Sequence, residues 1–228
     1  MRSLVVAIDG PSGSGKSSTS RGVAARLGLR YLDTGAMFRA VTWWMLDHGV
    51  DVTDPAAIAA RAAEPVIESG TDPLDPTILL DGEDASVAIR SDAVNASVSP
   101  VSAVPAVRTR LLELQREIIG EGGIVVEGRD IGSVVAPDAP VKLFLTADPE
   151  ARAVRRAAEA GGDVAATQES LLARDEIDSG RTTAPLTMAD GAVHIDTTPY
   201  TLDEVISQVV ALVEAVTAAS SVGSQARE

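Results

Sequence analysis

The chain has 228 residues, 45% hydrophobic and 23% charged, so it can bury the core of one large or two small domains. Its 33 Asp and Glu residues outnumber 19 Lys and Arg, and the formal net charge of −14 provides no diffuse positive field for nucleic acid or an anionic membrane. The absence of cysteine excludes disulfides, thiolate metal sites and a cysteine nucleophile. The sequence has neither a ~20-residue apolar stretch nor a signal-peptide pattern, so we expect a cytoplasmic protein with no nucleic-acid or membrane partner.

Five short apolar runs predict strands of a parallel sheet, because continuous hydrophobicity is typical of strands buried on both faces. In chain order these runs are residues 3–8, 29–32, 123–127, 141–145 and 192–195. Helical patterns alternate with them at residues 16–27, 34–46, 104–119, 149–160, 167–177 and 202–216. This alternation favours an α/β fold with an open, five-stranded parallel sheet, flanking helices and right-handed crossovers.

Residues 65–90 break the alternation. Two alternating apolar runs are joined there by Asp81-Gly82, a strong hairpin signal, and a third run precedes them. We therefore predict a small antiparallel insert. Near the end of the chain, the low-complexity sequence that begins at Ala218 predicts a disordered tail over residues 218–228.

The strongest motif runs from Gly10 to Ser17 and reads GPSGSGKS, which fits the phosphate-binding pattern G-x-x-x-x-G-K-S. A predicted strand precedes it and a predicted helix follows it, which is the context in which glycines turn backbone N–H groups toward a phosphate. Lys16 can reach the β and γ phosphates, and the Ser17 hydroxyl can ligate Mg²⁺. The sequence therefore predicts a nucleoside triphosphate site.

Other patterns narrow the class of nucleotide-binding protein. A GTPase needs a guanine-reading N/T-K-x-D pattern, but the only other lysine is Lys142 in VKLFL. A large motor ATPase needs a longer strand ending in Asp or Asp-Glu, whereas GIVVEGRD offers a single Glu127. A small kinase with a phosphorylated acceptor fits better. A kinase for UMP or a non-nucleotide acceptor, and a non-catalytic nucleotide switch, remain the alternatives.

A phosphorylated acceptor requires a second set of cations, and arginines at the ends of predicted elements provide it. Arg39 and Arg129 each lie beside a glycine turn at the carboxyl end of a strand, where open sheets bind ligands. Further candidates are Arg108 in AVRTRLL, and Arg174 and Arg181, which occur together with Asp178 in RDEIDSGR. For four other arginines we predict solvated surface positions paired to carboxylates: Arg21, Arg26, Arg61 and Arg116.

Four motifs occur in a fixed order: IDGPSGSGKSS, DTGAMFRAVTW, EGRDIGSVVAPDAPVKLFL, and RDxxDxxR followed by TTAPL. Together they resemble the bacterial cytidylate kinases, which are P-loop nucleoside monophosphate kinases, from Leu4 to about Val216. The resemblance implies transfer of the γ-phosphate of ATP to CMP or dCMP, with Mg²⁺ as cofactor, by a monomeric enzyme. It also implies a P-loop core over residues 1–33 and 98–217, with a short helical lid at about 149–165. Residues 34–97, including the insert, would form the monophosphate-binding domain.

The site residues implied by the resemblance fall into two groups. Those on ATP would be Gly10, Pro11, Ser12, Gly13, Ser14, Gly15, Lys16, Ser17 and Ser18, with Ser17 on the metal. Those on the acceptor would be Thr34, Arg39, Ser99, Arg108, Arg129, Asp130, Asp178 and Arg181. Catalysis would be carried by Lys16, Arg129, Arg174 and Arg181.

The resemblance also implies a role for each acceptor residue. Arg39 and Arg129 would clamp the acceptor phosphate. The cytosine ring would be read by Ser99, Arg108 and Asp130. Asp178 would hold the ribose hydroxyls, with its carboxylate held between Arg174 and Arg181 on one helix face.

Some residues depart from the family pattern or have more than one interpretation. Phe38 stands where the family often has tyrosine, which keeps an aromatic wall near the base. Either Glu127 or Asp33 would orient Mg²⁺-bound water. The lid would carry Arg152, Arg155 and Arg156, although this spacing is more typical of a solvated helix face.

The remaining conspicuous side chains are interpreted as structural. Trp43 and Trp44 are expected to pack beneath the acceptor-binding domain rather than to stack on a base. His48 and His194 have no neighbouring His or Cys pattern, so neither is expected to ligate a metal.

Overall fold

A computed structural model describes residues 3–160 and 162–225. Its strands and helices alternate along most of the chain, as the apolar periodicity predicts. In chain order they are β1 (Val5–Asp9), α1 (Lys16–Leu27), β2 (Arg30–Asp33), α2 (Thr34–Asp47), α3 (Pro55–Arg61), β3 (Ile67–Ser69), β4 (Ile78–Leu80), β5 (Glu83–Asp84), α4 (Asp92–Ala103), α5 (Pro105–Ile119), β6 (Ile124–Gly128), β7 (Val141–Thr146), α6 (Pro149–Ala160), α7 (Val164–Gly180), β8 (Val193–Asp196) and α8 (Leu202–Gln225).

The main sheet is parallel and has the strand order β2-β6-β1-β7-β8. All five predicted strands are therefore confirmed. The register pairs Asp9 with Gly128 and Asp33 with Glu127, so the carboxyl ends of β1, β2 and β6 meet at one edge. Open parallel sheets bind their ligands at this edge.

Each face of the main sheet packs against helices and forms its own hydrophobic cluster. On β1, Ala7 belongs to the cluster that includes residues of α2, α4 and α5. Its neighbours Val6 and Ile8 belong to the cluster that includes residues of α1 and α8. This alternation explains why the strands read as continuous apolar runs, since both faces of the sheet are buried.

The insert is a three-stranded antiparallel sheet in the order β3-β4-β5. Asp81 and Gly82 join its second and third strands with φ values of 52° and 84°, the left-handed backbone that a two-residue hairpin turn requires. The predicted insert is confirmed. Its β3–β4 loop reaches the main sheet, where the Tyr31 backbone N–H donates to the Thr71 carbonyl at 2.9 Å.

Three helical segments differ from the sequence prediction, and the first of them is α3 (Pro55–Arg61), where no helix was expected. We missed α4, which begins after the side-chain cap at Ser91 and contains Pro100, a residue that disfavours a helix interior. The structure also continues α8 to Gln225, so the predicted disordered tail is wrong for residues 218–225. The segment before this tail is rich in alanine, which favours helix continuation. Residues 226–228 of the predicted tail lie outside the described residues.

The four arginines predicted at the surface divide into two pairs. Arg26 and Arg61 form the expected exposed ion pairs, with Asp203 and Glu64. Arg21 and Arg116 instead donate to backbone carbonyls: Arg21 to Pro73 at 3.1 Å and Arg116 to Val134 at 2.8 Å. These two contacts were not predictable because they depend on the insert and on the turn after β6. Among the described helices, none is long and apolar enough to cross a membrane.

Candidate active site

A cleft of about 340 Å³ opens at the carboxyl ends of β1, β2 and β6. It brings together most of the predicted site residues: Ser12, Gly13, Gly15, Lys16, Ser17, Ser18, Thr34, Arg39, Ser99, Arg108, Arg129, Asp130, Arg174, Asp178 and Arg181. The other three, Gly10, Pro11 and Ser14, lie in the same loop but are not part of the cleft wall. Segments far apart in sequence thus form one concave surface.

The loop between β1 and α1 is shaped by its glycines. A Cβ on Gly10 would lie 2.0 Å from the backbone carbonyl oxygen of Leu145, a distance that no side chain could tolerate. Gly15 caps the start of α1 with φ of 83°, a left-handed conformation that glycine adopts without strain. The loop can therefore present its N–H groups, together with the positive end of the α1 dipole, to an anion.

Lys16 is buried beside this loop. Its Nζ donates to the Pro11 carbonyl at 2.8 Å. Burial, and then the charge of Arg129, lower the pKa of Lys16 to about 7. A polyphosphate in the loop would favour the charged ammonium, because a nearby anion stabilises the cationic form.

The carboxylate of Glu127 forms the floor of the cleft next to the loop. Ser17 Oγ donates to Glu127 Oε2 at 3.0 Å, and the Tyr31 hydroxyl donates to Glu127 Oε1. Thr34 Oγ1 donates to the backbone carbonyl of Glu127 at 2.7 Å. Burial and the neighbouring Asp33 raise the pKa of Glu127 to about 7, and burial raises the pKa of Tyr31.

The oxygen atoms at this floor fit Mg²⁺ held together with a nucleotide. Ser17, Asp33 and Glu127 supply a hydroxyl and two carboxylates, which are hard donors. Among the described residues, no group of three or more His, Cys, Asp or Glu side chains could form an all-protein metal cage. One hydroxyl and two carboxylates are the donors expected for Mg²⁺, which usually takes one or two carboxylates from the protein and completes its shell with substrate phosphates and water.

Arginine side chains form much of the cleft wall: Arg39, Arg108, Arg129, Arg156, Arg174 and Arg181. Burial, and then the charges of Arg174 and Arg156, lower the pKa of Arg39 to about 9. Burial is also the largest cause of the lowered pKa values of Arg174 and Arg181. Arg174 Nε and Arg181 Nε and Nη2 are buried without a hydrogen bond in the described structure. Buried guanidinium N–H groups without a hydrogen bond, as in Arg174 and Arg181, favour a bound anion.

Arg129 connects this arginine wall to the phosphate-binding loop. Its Nη1 donates to the Gly10 carbonyl at 3.0 Å, and its Nε donates to Asp178 Oδ2 at 3.0 Å. Asp178 also accepts from Ser99 Oγ at 3.5 Å and lies 3.6 Å from Arg181 Nη1. Arg129, rather than the expected Arg174, therefore shares the Asp178 carboxylate with Arg181. The local sequence does not predict this pairing, because Arg129 and Asp178 are 49 positions apart in the chain.

Arg108 and Asp130 form a buried ion pair at 2.5 Å. The Arg108 guanidinium lies 5.3 Å from the centre of the Phe38 ring and also donates to the Ser102 carbonyl at 3.2 Å. Two charged hydrogen-bonding groups and an aromatic ring thus line one end of the cleft. Such a set can recognise the edge and face of a nucleobase.

The arginines of α6 have more contacts than a solvated helix face would allow. Arg152 is 4% exposed and donates to the Ser12 carbonyl at 3.0 Å and to Asp175 at 2.5 Å. Arg155 donates to the side chain and the backbone of Thr197, both at 2.9 Å, and Arg156 lines the cleft. The solvated interpretation is wrong for Arg152, because α6 packs against the loop that contains Ser12, and for Arg155, because it is bonded to Thr197 after β8.

Sequence reasoning missed two polar residues that support the cleft. Asp9 ends β1 and accepts the backbone N–H groups of Ile131 and Gly132, each at 2.8 Å. Burial raises the pKa of Asp9 to about 6. Asn95 accepts from Arg39 Nη1 at 2.9 Å. A carboxylate closing a buried strand was a usable signal for Asp9, whereas nothing in the local sequence marks Asn95.

Trp44 packs as predicted. Its indole Nε1 donates to Asp81 Oδ2 in the insert turn at 2.8 Å, and its side chain is buried. His48 stacks on the Trp44 ring with a centroid distance of 3.9 Å. Trp43 is partly buried against the same core, and His194 Nε2 forms a hydrogen bond with Thr146 Oγ1. Trp44 therefore fixes the insert to α2.

The fold and the cleft define a P-loop nucleotide kinase, in which a phosphate-binding loop faces a second cationic site. Comparison with known proteins identifies the family. Residues 6–215 match the family model described as cytidylate kinase, and the chain belongs to that family.

Close relatives carry the same name. The chain is 63% identical to the cytidylate kinase of Streptomyces griseus subsp. griseus over 93% of both chains. It is 61% identical to the cytidylate kinase of Streptomyces avermitilis, over 92% of this chain and 93% of the relative. A crystal structure of an uncharacterized protein from Eubacterium ventriosum shares the fold, with a TM-score of 0.53 and 11% identity over 93% of this chain and 99% of that one.

Proposed function

We propose that the protein transfers the γ-phosphoryl group of ATP to CMP, and to dCMP, forming ADP and CDP or dCDP. Family membership and relatives named cytidylate kinase support the acceptor. The observation that carries the proposal is the position of Arg129, which bonds both the phosphate-binding loop and Asp178. One guanidinium thereby lies between the phosphate-binding loop and the residue that would hold the acceptor's ribose, where it could contact the donor and acceptor phosphates during direct transfer.

The donor half would be built on the loop from Gly10 to Ser18. Its N–H groups and the ammonium of Lys16 would hold the polyphosphate. Ser17 would ligate Mg²⁺, with Glu127 or Asp33 orienting its water. When bound beside Ser17, Mg²⁺ would neutralise the negative charge of the polyphosphate.

The acceptor half would be built on the arginine wall. Arg39 and Arg129 would hold the monophosphate, and Thr34 lies beside them at the start of α2. The Arg108–Asp130 pair, with Ser99, would read the cytosine edge. Asp178 would accept the ribose hydroxyls, since an ionised carboxylate is an acceptor only.

Catalysis would be positioning and charge neutralisation, because phosphoryl transfer leaves little for a general base to do. Lys16, Arg129, Arg174 and Arg181 would surround the transferring group. ATP would bind to the P-loop core, residues 1–33 and 98–217, which includes the lid at about 149–165. The acceptor would bind to the domain formed by residues 34–97. We also propose that the protein is a monomer and acts in the cytoplasm.

A coupled ADP-release assay with CMP, dCMP, UMP, AMP and GMP tests this function. We expect CMP and dCMP to give the highest kcat/KM, and ADP release to depend on the acceptor. Turnover that is faster with UMP or AMP would contradict the acceptor assignment. ADP release that is the same without any acceptor would contradict the kinase reaction itself.

A further inference from the structure

We propose that Tyr31 is a positioning residue for phosphoryl transfer. Its phenol fixes the Glu127 carboxylate in the orientation that serves Ser17 and the metal-bound polyphosphate. The inference rests on the proposed function, because it concerns the Mg²⁺-dependent part of nucleotide binding. Tyr31 itself lines neither the cleft nor any substrate-binding surface assigned above.

The sheet register explains why this tyrosine reaches that carboxylate. Tyr31 lies on β2 directly opposite Val125 of β6, so Glu127 is its diagonal neighbour two residues further along. Tyr31 and Val125 belong to the same hydrophobic cluster, and side chains two residues apart on a strand share a face. A tyrosine side chain is long enough to reach such a neighbour on the adjacent strand, and the hydrogen bond shows that it does. The buried ring therefore delivers its hydroxyl to Glu127 Oε1.

The two oxygens of Glu127 have different partners. Oε2 accepts from Ser17, the residue that would ligate the metal, and Oε1 accepts from Tyr31. Glu127 is 3% exposed, so water cannot easily replace either donor. The last torsion of a Glu side chain is broad, so a carboxylate held through one oxygen is free to rotate. The phenol removes that freedom and leaves Oε2 aimed at Ser17.

The backbone on both sides of this contact is held by hydrogen bonds within the chain. The Tyr31 N–H donates to the Thr71 carbonyl of the insert at 2.9 Å. On the other strand, Thr34 Oγ1 holds the Glu127 carbonyl at 2.7 Å. The fold thus holds the phenol in place, because its ring is packed in the core and its backbone is bound at the sheet edge.

The test compares Tyr31→Phe with Tyr200→Phe, which removes the hydroxyl of the only other tyrosine, an exposed one outside the cleft wall. Calorimetry measures binding of the β,γ-imido analogue of ATP in EDTA and in excess Mg²⁺, and thermal melting checks folding. The lower end of the range for a hydrogen bond to a charged group corresponds to about a tenfold change in an equilibrium constant. We expect Tyr31→Phe to reduce the Mg²⁺-dependent gain in affinity about tenfold, with EDTA affinity within about twofold of wild type. Tyr200→Phe should match wild type in both.

Kinetics add a second readout. The Mg²⁺ concentration for half-maximal activity should rise about tenfold in Tyr31→Phe, while KM for CMP stays within about twofold of wild type. A purely structural tyrosine would lower the melting temperature, or shift all constants together, without a selective change in Mg²⁺ dependence. That outcome would overturn the inference while leaving the proposed function intact.

A second variant keeps the test decisive if Tyr31→Phe folds poorly. Glu127→Gln should lose at least as much of the Mg²⁺-dependent gain, and adding Tyr31→Phe to it should cause no further loss. A retained gain in Glu127→Gln, or an additive loss in the double variant, would overturn the inference. A wild-type protein that gains no affinity from Mg²⁺ would overturn both the inference and the metal part of the proposed function.

Discussion

Replacement of Asp178 by alanine should weaken binding of the acceptor CMP far more than binding of ATP. The side chain is 6% exposed and holds Arg129 Nε at 3.0 Å and Arg181 Nη1 at 3.6 Å. Loss of a hydrogen bond between a sugar hydroxyl and a charged group costs about 1.5–3 kcal/mol, so KM for CMP should rise about 10- to 100-fold. KM for ATP should rise much less than KM for CMP, because Asp178 contacts the phosphate-binding loop only indirectly, through Arg129.

The same substitution should also destabilise the protein. Removing one partner of a buried ion pair costs about 3–5 kcal/mol, and Arg129 is partly exposed, so we expect the lower end of that range. For a chain of this size, about 3 kcal/mol corresponds to a melting temperature lower by about 6–12 °C.

Asp175→Ala is the matched control for Asp178→Ala. Asp175 lies on the same helix, α7, and pairs with Arg152 at 2.5 Å, but it is not part of the cleft wall. It should lower the melting temperature without raising KM for CMP. If Asp178→Ala behaved in the same way, with an unchanged acceptor KM and a lower melting temperature, the assignment of Asp178 to the ribose would be refuted.

Lys16→Ala should reduce kcat by about 10²- to 10³-fold, because a charge contact made in the transition state is lost, while calorimetric CMP affinity stays nearly unchanged; a variant that keeps most of its kcat would contradict the role. Asp130→Asn should narrow the kcat/KM ratio between CMP and UMP, since the buried carboxylate is expected to pair with the cytosine amino group; an unchanged ratio would remove Asp130 from base recognition. Asp9 has its pKa raised from 3.8 to about 6, so the folded state binds its proton more tightly than the unfolded state. Its contribution to stability is therefore present below about pH 4 and is lost, by about 3 kcal/mol, as pH rises through about 6. The melting temperatures at pH 4 and pH 7 should differ less for Asp9→Asn than for wild type. If both proteins showed the same difference, the raised pKa of Asp9 would be refuted.

The main sheet and the phosphate-binding loop were predictable because their signals are local. Val6 to Ile8 reads as a buried strand within a few residues, and the glycines after it specify the turn that follows. The Asp81-Gly82 turn identified the insert in the same way. The family resemblance then placed most of the expected binding residues, and the structure brings them to one cleft.

The contacts that orient the site were not predictable, because they join distant parts of the chain. Arg152 has the spacing of a surface residue, yet packing of α6 on the phosphate-binding loop buries it. Arg129 has no local feature that predicts its bond to Asp178. Tyr31 reads as an ordinary core aromatic, and only the register of β2 on β6 shows which carboxylate it reaches. The helix α4 was not predicted for a local reason, because Pro100 lies within it and proline disfavours a helix interior.

Direct observation of the product tests the central claim that the cleft transfers phosphate between two nucleotides. Phosphorus NMR of the protein with ATP, CMP and Mg²⁺ follows all four nucleotides in one sample. We predict CDP and ADP in equal amounts, together with the loss of CMP, and formation slowed by at least about a hundredfold in Lys16→Ala. ADP and free phosphate without CDP would contradict the account, because the site would then hydrolyse ATP rather than transfer its phosphoryl group.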